Sequence, residues 1–503
     1  MRRVVGLGAV VALLGAPGCD GVATAAAPAP SAAPAALHPW DERALPDHLD
    51  FDAFVGADDA ALQKLIERGG VLFQAKFTRL DGAGRPMATQ AIVPTKRKRA
   101  MPFAFQRTGG PDADACAGCH NDPVPGGAGD IVANVFVSEG FESSDFDSLD
   151  PQFSNERGTT PLQGDGLIEL LAREMSADLQ AVRRDALRRA RSTNTDVSLP
   201  LASKGVSFGS IRAHPAGTID LGEIDGVDTD LVVRPFSQKG VFTSLRQFTI
   251  NALNQHHGME ATERFGARWT GNADFDGDGM NDEITSGDVS AMVAWQATLA
   301  PPGRAAGLPA SWVAAASKGE GLFERIGCTG CHRPALPLDS LVFRDPGPSD
   351  MAGTLRAGEV PRPIEIDLGR FAWAQHLARD AKGRVLVPLY ADLKRHVISD
   401  TGTDKLGNEL LAQRFVERDT FRTAFLWGVG STAPYGHRGD ITTIDEAIRA
   451  HAGEGRASRE AYETLGDEDR SSIIAFLRSL VIPKAPDTHA FAHGGAAKSA
   501  AGS

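Results

Sequence analysis

Apolar residues recur at three- and four-residue intervals between Asp165 and Arg191. Leu167, Leu170, Leu171, Met175, Leu179 and Val182 fall on one stripe, with Arg and Glu between them. That period predicts a helix whose stripe, Met175 included, faces a core. Shorter helices are predicted from Asp288 to Leu299 and from Asp467 to Leu480, the second followed by Pro483. Lys318-Gly319-Glu320-Gly321-Leu322-Phe323 leads helically towards residue 328. By contrast, Gly70-Val71-Leu72-Phe73 through Asp81-Gly82 to Asn121-Asp122-Pro123 alternates short apolar pieces with turn residues and predicts mostly loop. Val206 to Val241 is weakly periodic and rich in Gly, Asp, Ser and Val, which predicts a hairpin or a long loop. A Gly-x-x-Leu-Phe pattern starts at Gly69 and again at Gly319, a hint of two related units.

The ends are of a different kind. Arg2 and Arg3 precede an apolar run from Val4 to Leu14, too short to span a bilayer as a mature helix but suited to a signal peptide. Two processing routes stay open: lipidation of Cys19, against which Ala16 and Pro17 speak, or cleavage in the Ala-rich stretch beyond. Residues 1–40 thus read as signal and Ala/Pro-rich tether, and residues 485–503 as a flexible tail. Pro301-Pro302-Gly303 breaks the body, which predicts one domain over 41–305 and a second over 306–484. The 503 residues are 42% hydrophobic and 23% charged, and the mean hydropathy of −0.18 excludes a polytopic membrane protein. A net charge of −12 argues against nucleic-acid binding.

Chemistry enters with the cysteines. Cys116-Ala-Gly-Cys119-His120 and Cys328-Thr-Gly-Cys331-His332 share one frame, the spacing of c-type haem attachment. One helical turn lets two sulfurs form thioethers with the haem vinyl groups, and the next residue turns its imidazole onto iron. With 5 Cys and 13 His in 503 residues, one chance match is expected roughly 0.001 times. A dithiol or disulfide explains neither histidine, and zinc needs further ligands close by. Two covalently attached haem c groups are therefore expected, with Cys116, Cys119, His120, Cys328, Cys331 and His332 holding them.

Asn254-Gln255-His256-His257-Gly258-Met259 offers three more possible ligands after a predicted helix. His256 is a candidate iron ligand; His257 is the candidate acid/base group over an open iron; a plain surface loop is the alternative. His38, His48, His489 and His493 lie in terminal segments and are given no role. Asp274-Phe-Asp276-Gly-Asp278-Gly-Met280-Asn-Asp282-Glu283 sets carboxylates at alternating positions with Gly at the sixth. That pattern predicts Ca²⁺ held by Asp274, Asp276, Asp278, the Met280 carbonyl, Asp282 and Glu283. Thr285 stands at position twelve, so the closing carboxylate is Glu283 or Asp288, unless the segment is a solvated acidic turn capping the next helix.

Beyond the haem motifs, Asp392-Leu-Lys-Arg-His396, Phe421-Arg-Thr-Ala424 with Leu426-Trp-Gly428, Ala433-Pro-Tyr-Gly-His437-Arg-Gly439 and Ile444-Asp-Glu-Ala-Ile448 resemble the di-haem oxidoreductase, or thiol-oxidoreductase-like, family. That family belongs with the bacterial di-haem cytochrome c peroxidases, and the resemblance spans roughly residues 65 to 482. It implies a mainly α fold of two cytochrome c-like haem domains with long loops and little β. It implies a peroxidase-type oxidoreductase, exported to the periplasm or cell envelope, fed by a small cytochrome c or cupredoxin and reducing hydrogen peroxide. His451 stands where the peroxidases carry a methionine, sixth ligand of the second haem, which makes His332 and His451 the expected axial pair; an exposed helix-end residue is the alternative. His396 and His437 match motif positions near a haem edge. The family's calcium lies between domains and is not equated with the Asp274 loop. Trp295 and Trp427 read as core residues. Two other functions stay open: a non-catalytic electron-transfer cytochrome, and an oxidase of an organic or protein substrate. The membrane enters only through a lipid on Cys19.

Overall fold

The structure, a computed structural model, describes residues 40–84, 87–88, 97–98, 114–129, 132–134, 156–351, 353–402, 404–409 and 416–484. The signal segment, Cys19, His38 and the tail with His489 and His493 lie outside the described residues. Helix α1 (Asp59–Gln74) starts at Asp58, whose carboxylate accepts from Ala61 N–H. It buries Leu62, Leu65, Ile66, Leu72 and Phe73. The expectation of loop at Gly70–Phe73 is therefore corrected. Gly69 and Gly70 are not turn residues: a Cβ on Gly69 would stand 1.9 Å from the carbonyl oxygen of Ala291. Glycine here permits a close helix crossing, not a bend.

Helix α2 (Asp165–Thr193) is the long predicted one, and Leu167, Leu171, Met175 and Leu179 are wholly buried. A bulged hairpin follows, β1 (Val197–Ser203) against β2 (Val206–Ala213), extended by β3 (Ile219–Asp220). Helix α3 (Leu245–Ala252) runs into a π-helical turn at Leu253–His257. Helix α4 (Ser286–Ala297) is buried on nearly every face and opens with a Thr285–Asp288 capping box. Helices α5 (Ala310–Arg325) and α6 (Asp467–Arg478) complete the frame.

The expectation of little β is also corrected. Of the described residues, 39% are helix and 14% strand, the latter in short antiparallel pairs such as Val342–Asp345 with Ile364–Asp367 and Arg395–Val397 with Thr420–Arg422. Most strands are two to four residues long, so they tie loops together instead of building layers. One core gathers residues from Leu45 to Trp427; a smaller one, over Ala316 to Leu480, is centred on α5 and α6.

The two Gly-x-x-Leu-Phe patterns do the same work. Gly69 of α1 crosses α4 at Ala291, and Gly319 of α5 crosses α6 at Ser472, where an added Cβ would again lie 1.9 Å from a carbonyl oxygen. Four residues past each crossing, Trp295 packs on Phe73 and Phe476 on Phe323, with ring centres 4.4 Å and 5.5 Å apart. Each Phe then stands 6.1 Å from the histidine of a Cys-x-x-Cys-His motif, tilted by 55° to His120 and by 51° to His332.

His48, given no role from sequence, closes the cap of α4. Its Nδ1–H donates to Asp288 Oδ2 at 2.7 Å. That hydrogen bond raises the His48 pKa above its usual value near 6.5. A raised folded value means the contribution is full below the unfolded pKa and is lost as pH rises through the folded one. His48→Ala is thus expected to lower the melting midpoint more at about pH 5.5 than at about pH 9, read by thermal denaturation at both. Gly69→Ala and Gly319→Ala are each expected to cost roughly 1–3 kcal/mol or more, since backbone must move to admit the methyl. Denaturant unfolding that leaves either variant at wild-type stability would show that the crossings are not tight.

Candidate redox centres

Both Cys-x-x-Cys-His motifs fold as single helical turns, closed by His120 N–H to the Cys116 carbonyl at 3.0 Å and His332 N–H to the Cys328 carbonyl at 2.9 Å. Each turn therefore presents two sulfurs and one imidazole together, and the four thiols form no disulfides. Burial pushes the Cys116 and Cys328 thiols up to about 12. Burial also holds His120 and His332 down to about 4, so both imidazoles are neutral and keep a lone pair for a metal.

The second centre is closed on both sides. His332 and His451 face each other with ring centres 6.4 Å apart. His332 Nδ1 lies 3.0 Å from the Tyr390 carbonyl oxygen and His451 Nδ1 lies 2.8 Å from that of Ala447. A carbonyl only accepts, so each Nδ1 carries the proton and each Nε2 keeps its lone pair. Two imidazoles bound through Nε2 to one metal, at roughly 2 Å per bond, have ring centres about 6.3 Å apart. The observed spacing fits a metal held between them. His451 is thus not an exposed helix end; it is partly buried, two residues past the helix Ile444–Arg449.

His396 sits beside this centre, its Nδ1 3.9 Å from Cys331 Sγ. Burial opposes a charge there, yet hydrogen bonds to Asp392 at 2.9 Å, to Cys331 and to Glu454 at 2.6 Å push its pKa up to about 11. It is a fixed cation between two carboxylates, not a free ligand. Glu454 carries no motif signal in the sequence.

The first centre is open. Cys116, Cys119 and His120 line a cavity of about 160 Å³ together with Phe73, Phe242, Met292, His256 and His257. Both predicted distal histidines therefore reach it, because the π-helical turn advances them onto the cavity wall. His257 is buried with Nε2 3.4 Å from Cys116 Sγ, while His256 is partly exposed. Arg157, Ser237 and Gln238 add polar groups that sequence reading missed; Ser237 Oγ and Gln238 Oε1 are buried without a hydrogen-bond partner. Ser237 is held at φ 65°, a backbone strain that local sequence does not announce. His437 lies behind this wall, stacked at 4.6 Å on Phe421, its carbonyl accepting from Gly158 N–H. Burial and the cations Arg157, Lys239 and Arg438 hold it down to about 3.

Below the cavity, the acidic segment forms two overlapping carboxylate groups. Asp274, Asp276 and Asp278 bring oxygens within 4.8 Å of one another, and so do Glu260, Asp276 and Glu283. Asp282 joins neither, and Met280 donates its N–H to Asp278 at 2.7 Å. Glu260, twenty-three residues before Glu283, was not a candidate from spacing.

Residues 368–480 match the family described as "Di-haem oxidoreductase, putative peroxidase". No curated protein matches the chain. Among solved structures it is similar to hydrazine synthase of Kuenenia stuttgartiensis, pressurised with xenon, at 11% identity and TM-score 0.36, covering 89% of this chain and all of that one. It is also similar to a MauG-like protein associated with microbial copper homeostasis, at 16% identity and TM-score 0.26, covering 50% of this chain and 71% of that one.

Proposed function

We propose that this chain, which carries the di-haem oxidoreductase family's segment at residues 368–480, is an exported c-type di-haem enzyme of peroxidase type. The observation that carries the reading is the asymmetry of the two centres. One lies between two imidazoles whose outer nitrogens are both tied to carbonyls; the other opens on a mostly apolar cavity that also holds His256, His257 and a few polar groups.

Cys116 and Cys119 would hold the first haem through thioethers with His120 as its proximal ligand, and Cys328 and Cys331 the second with His332 and His451 on its two faces. The haems supply one-electron transfer and, at an iron with a free sixth position, reduction of peroxide. Everything else falls to the chain. Reducing hydrogen peroxide to two waters takes up two electrons and two protons, so the cavity needs a group that gives and regains protons. His257 and His256 are its imidazoles for that task. Phe73, Phe242 and Met292 supply apolar wall that limits bulk water. At the second centre, Tyr390 and Ala447 fix both imidazoles, so little rearranges when an electron arrives or leaves. Electrons would come from a small cytochrome c or cupredoxin, and the amino-terminal signal would bring the chain to the periplasm where such donors work.

A second reading has an observation of its own. His256 and His257 share the cavity with His120, so either imidazole as a permanent ligand would close the first centre and leave an electron-transfer cytochrome.

Two measurements test this. Mass spectrometry of the denatured holoprotein is expected to show two retained haems, and one in Cys328→Ser/Cys331→Ser; a haem-free mass overturns covalent attachment. Low-temperature EPR, as isolated and after one electron per molecule, is expected to show a high-spin ferric signal that peroxide abolishes. Two low-spin signals inert to peroxide in both states would favour the cytochrome. In His451→Ala a second high-spin signal is expected, and its absence would overturn the His332–His451 pairing.

A further inference from the structure

The carboxylates of Glu260, Asp276 and Glu283 are 5%, 1% and 4% exposed, and no Lys or Arg among the described residues pairs with any of them. Three buried negative groups with oxygens within 4.8 Å are costly unless something positive lies between them. Their hydrogen bonds do not remove the charge. Glu283 Oε2 accepts from Glu260 N–H at 2.7 Å and Asp276 Oδ1 from Asp278 N–H at 3.2 Å. Glu260 Oε1 and Asp276 Oδ2 are sealed from solvent with no partner. The outer group differs: Asp274 already spends its oxygens on the N–H groups of Gly277, Asp278 and Gly279.

We propose that Glu260, Asp276 and Glu283 form a buried Ca²⁺ seat, and that filling it clamps the double-histidine turn to helix α4. An all-oxygen set drawn from an irregular loop suits Ca²⁺. Mg²⁺ demands regular octahedral geometry and retained waters, and zinc favours nitrogen and sulfur. The clamp follows from chain order. Glu260 stands three residues after His257, across Gly258 and Met259, with Met259 N–H bonded back to the Leu253 carbonyl at 3.0 Å. Glu283 stands two residues before Thr285, the cap of α4, whose Met292 and Gln296 line the same cavity. The Ala261–Ile284 bridge joins the two strands of chain between them. A cation on Glu260 and Glu283 therefore fixes the turn bearing His256 and His257 relative to α4. No part of this depends on what the cavity holds.

The test uses the full holoprotein after chelation, titrated with Ca²⁺ or Mg²⁺ by calorimetry and followed by thermal unfolding. Ca²⁺ is expected to bind, to raise the melting midpoint, and to slow hydrogen exchange over residues 253–262. Glu260→Gln is expected to weaken Ca²⁺ at least 100-fold and to abolish the Ca²⁺-dependent rise. Without metal it should melt close to wild type, because the amide keeps an oxygen for the Asp276 N–H and the other oxygen, Oε1, has no partner to lose. Asp278→Asn, in the outer group, is expected to weaken binding less than 10-fold. Wild-type affinity in Glu260→Gln, a larger loss in Asp278→Asn, preference for Mg²⁺, or no binding at all would overturn the buried seat. Binding without slower exchange at 253–262 would overturn the clamp.

Discussion

Two helix crossings, each possible only because a glycine lets one backbone touch another, determine where the chemistry sits. At Gly69 and at Gly319 the neighbouring helix brings a carbonyl to where a side chain would begin. That closeness draws Trp295 onto Phe73 and Phe476 onto Phe323, and each Phe then bounds one Cys-x-x-Cys-His turn. Close packing transmits position, because an aromatic ring gripped between helices has few other places to go. The same device twice sets a Phe ring 6.1 Å from each histidine.

What differs between the centres is therefore the distal side. At the second, a helix end delivers His451 with its Nδ1 already committed to its own helix, so the ring orientation is set before any metal is bound. At the first, the chain passes through a π-helical turn and presents two adjacent histidines. One of them leans on the Cys116 sulfur. A distal imidazole whose Nδ1 is committed to a carbonyl, as in His451, keeps its Nε2 lone pair aimed one way and suits a permanent ligand.

This division explains what was legible in the sequence. Side-chain identity at short range was readable: Cys-x-x-Cys-His, the stripe of α2, the acidic loop, and His451 through family resemblance. Main-chain partners were not, since the Tyr390 and Ala447 carbonyls would read the same in any residue, and they fix both tautomers. The stretch from Gly70 to Phe73 was misread as loop because glycine has two uses, bending a chain and thinning it, and only the partner helix tells which. Glu260 and Glu454 were missed because their partners lie 16 and more residues away, beyond any local pattern. His48 was passed over for its place near the end of the chain, although it caps the central helix.

Several buried charges elsewhere among the described residues are paired, and the pairing stitches distant segments. Arg246 of α3 pairs with Glu263 and, at 2.7 Å, with Asp345, and also reaches Ser290 at 2.8 Å. Lys239, wholly buried, lies 3.1 Å from Glu409 and donates to the carbonyls of Glu417, Arg418 and Thr420 at 2.7 to 2.9 Å. Arg157 pairs with the same Glu409. These contacts join residues before 300 to residues after 340, so the wall of the open cavity is held by the segment that leads into the closed centre. Removing one partner from such a pair leaves a buried charge alone, typically a loss of about 3–5 kcal/mol. A chain that pairs Arg246, Lys239 and Arg157, and then gathers Glu260, Asp276 and Glu283 with no Lys or Arg among the described residues paired to them, has left that cluster to be completed from outside.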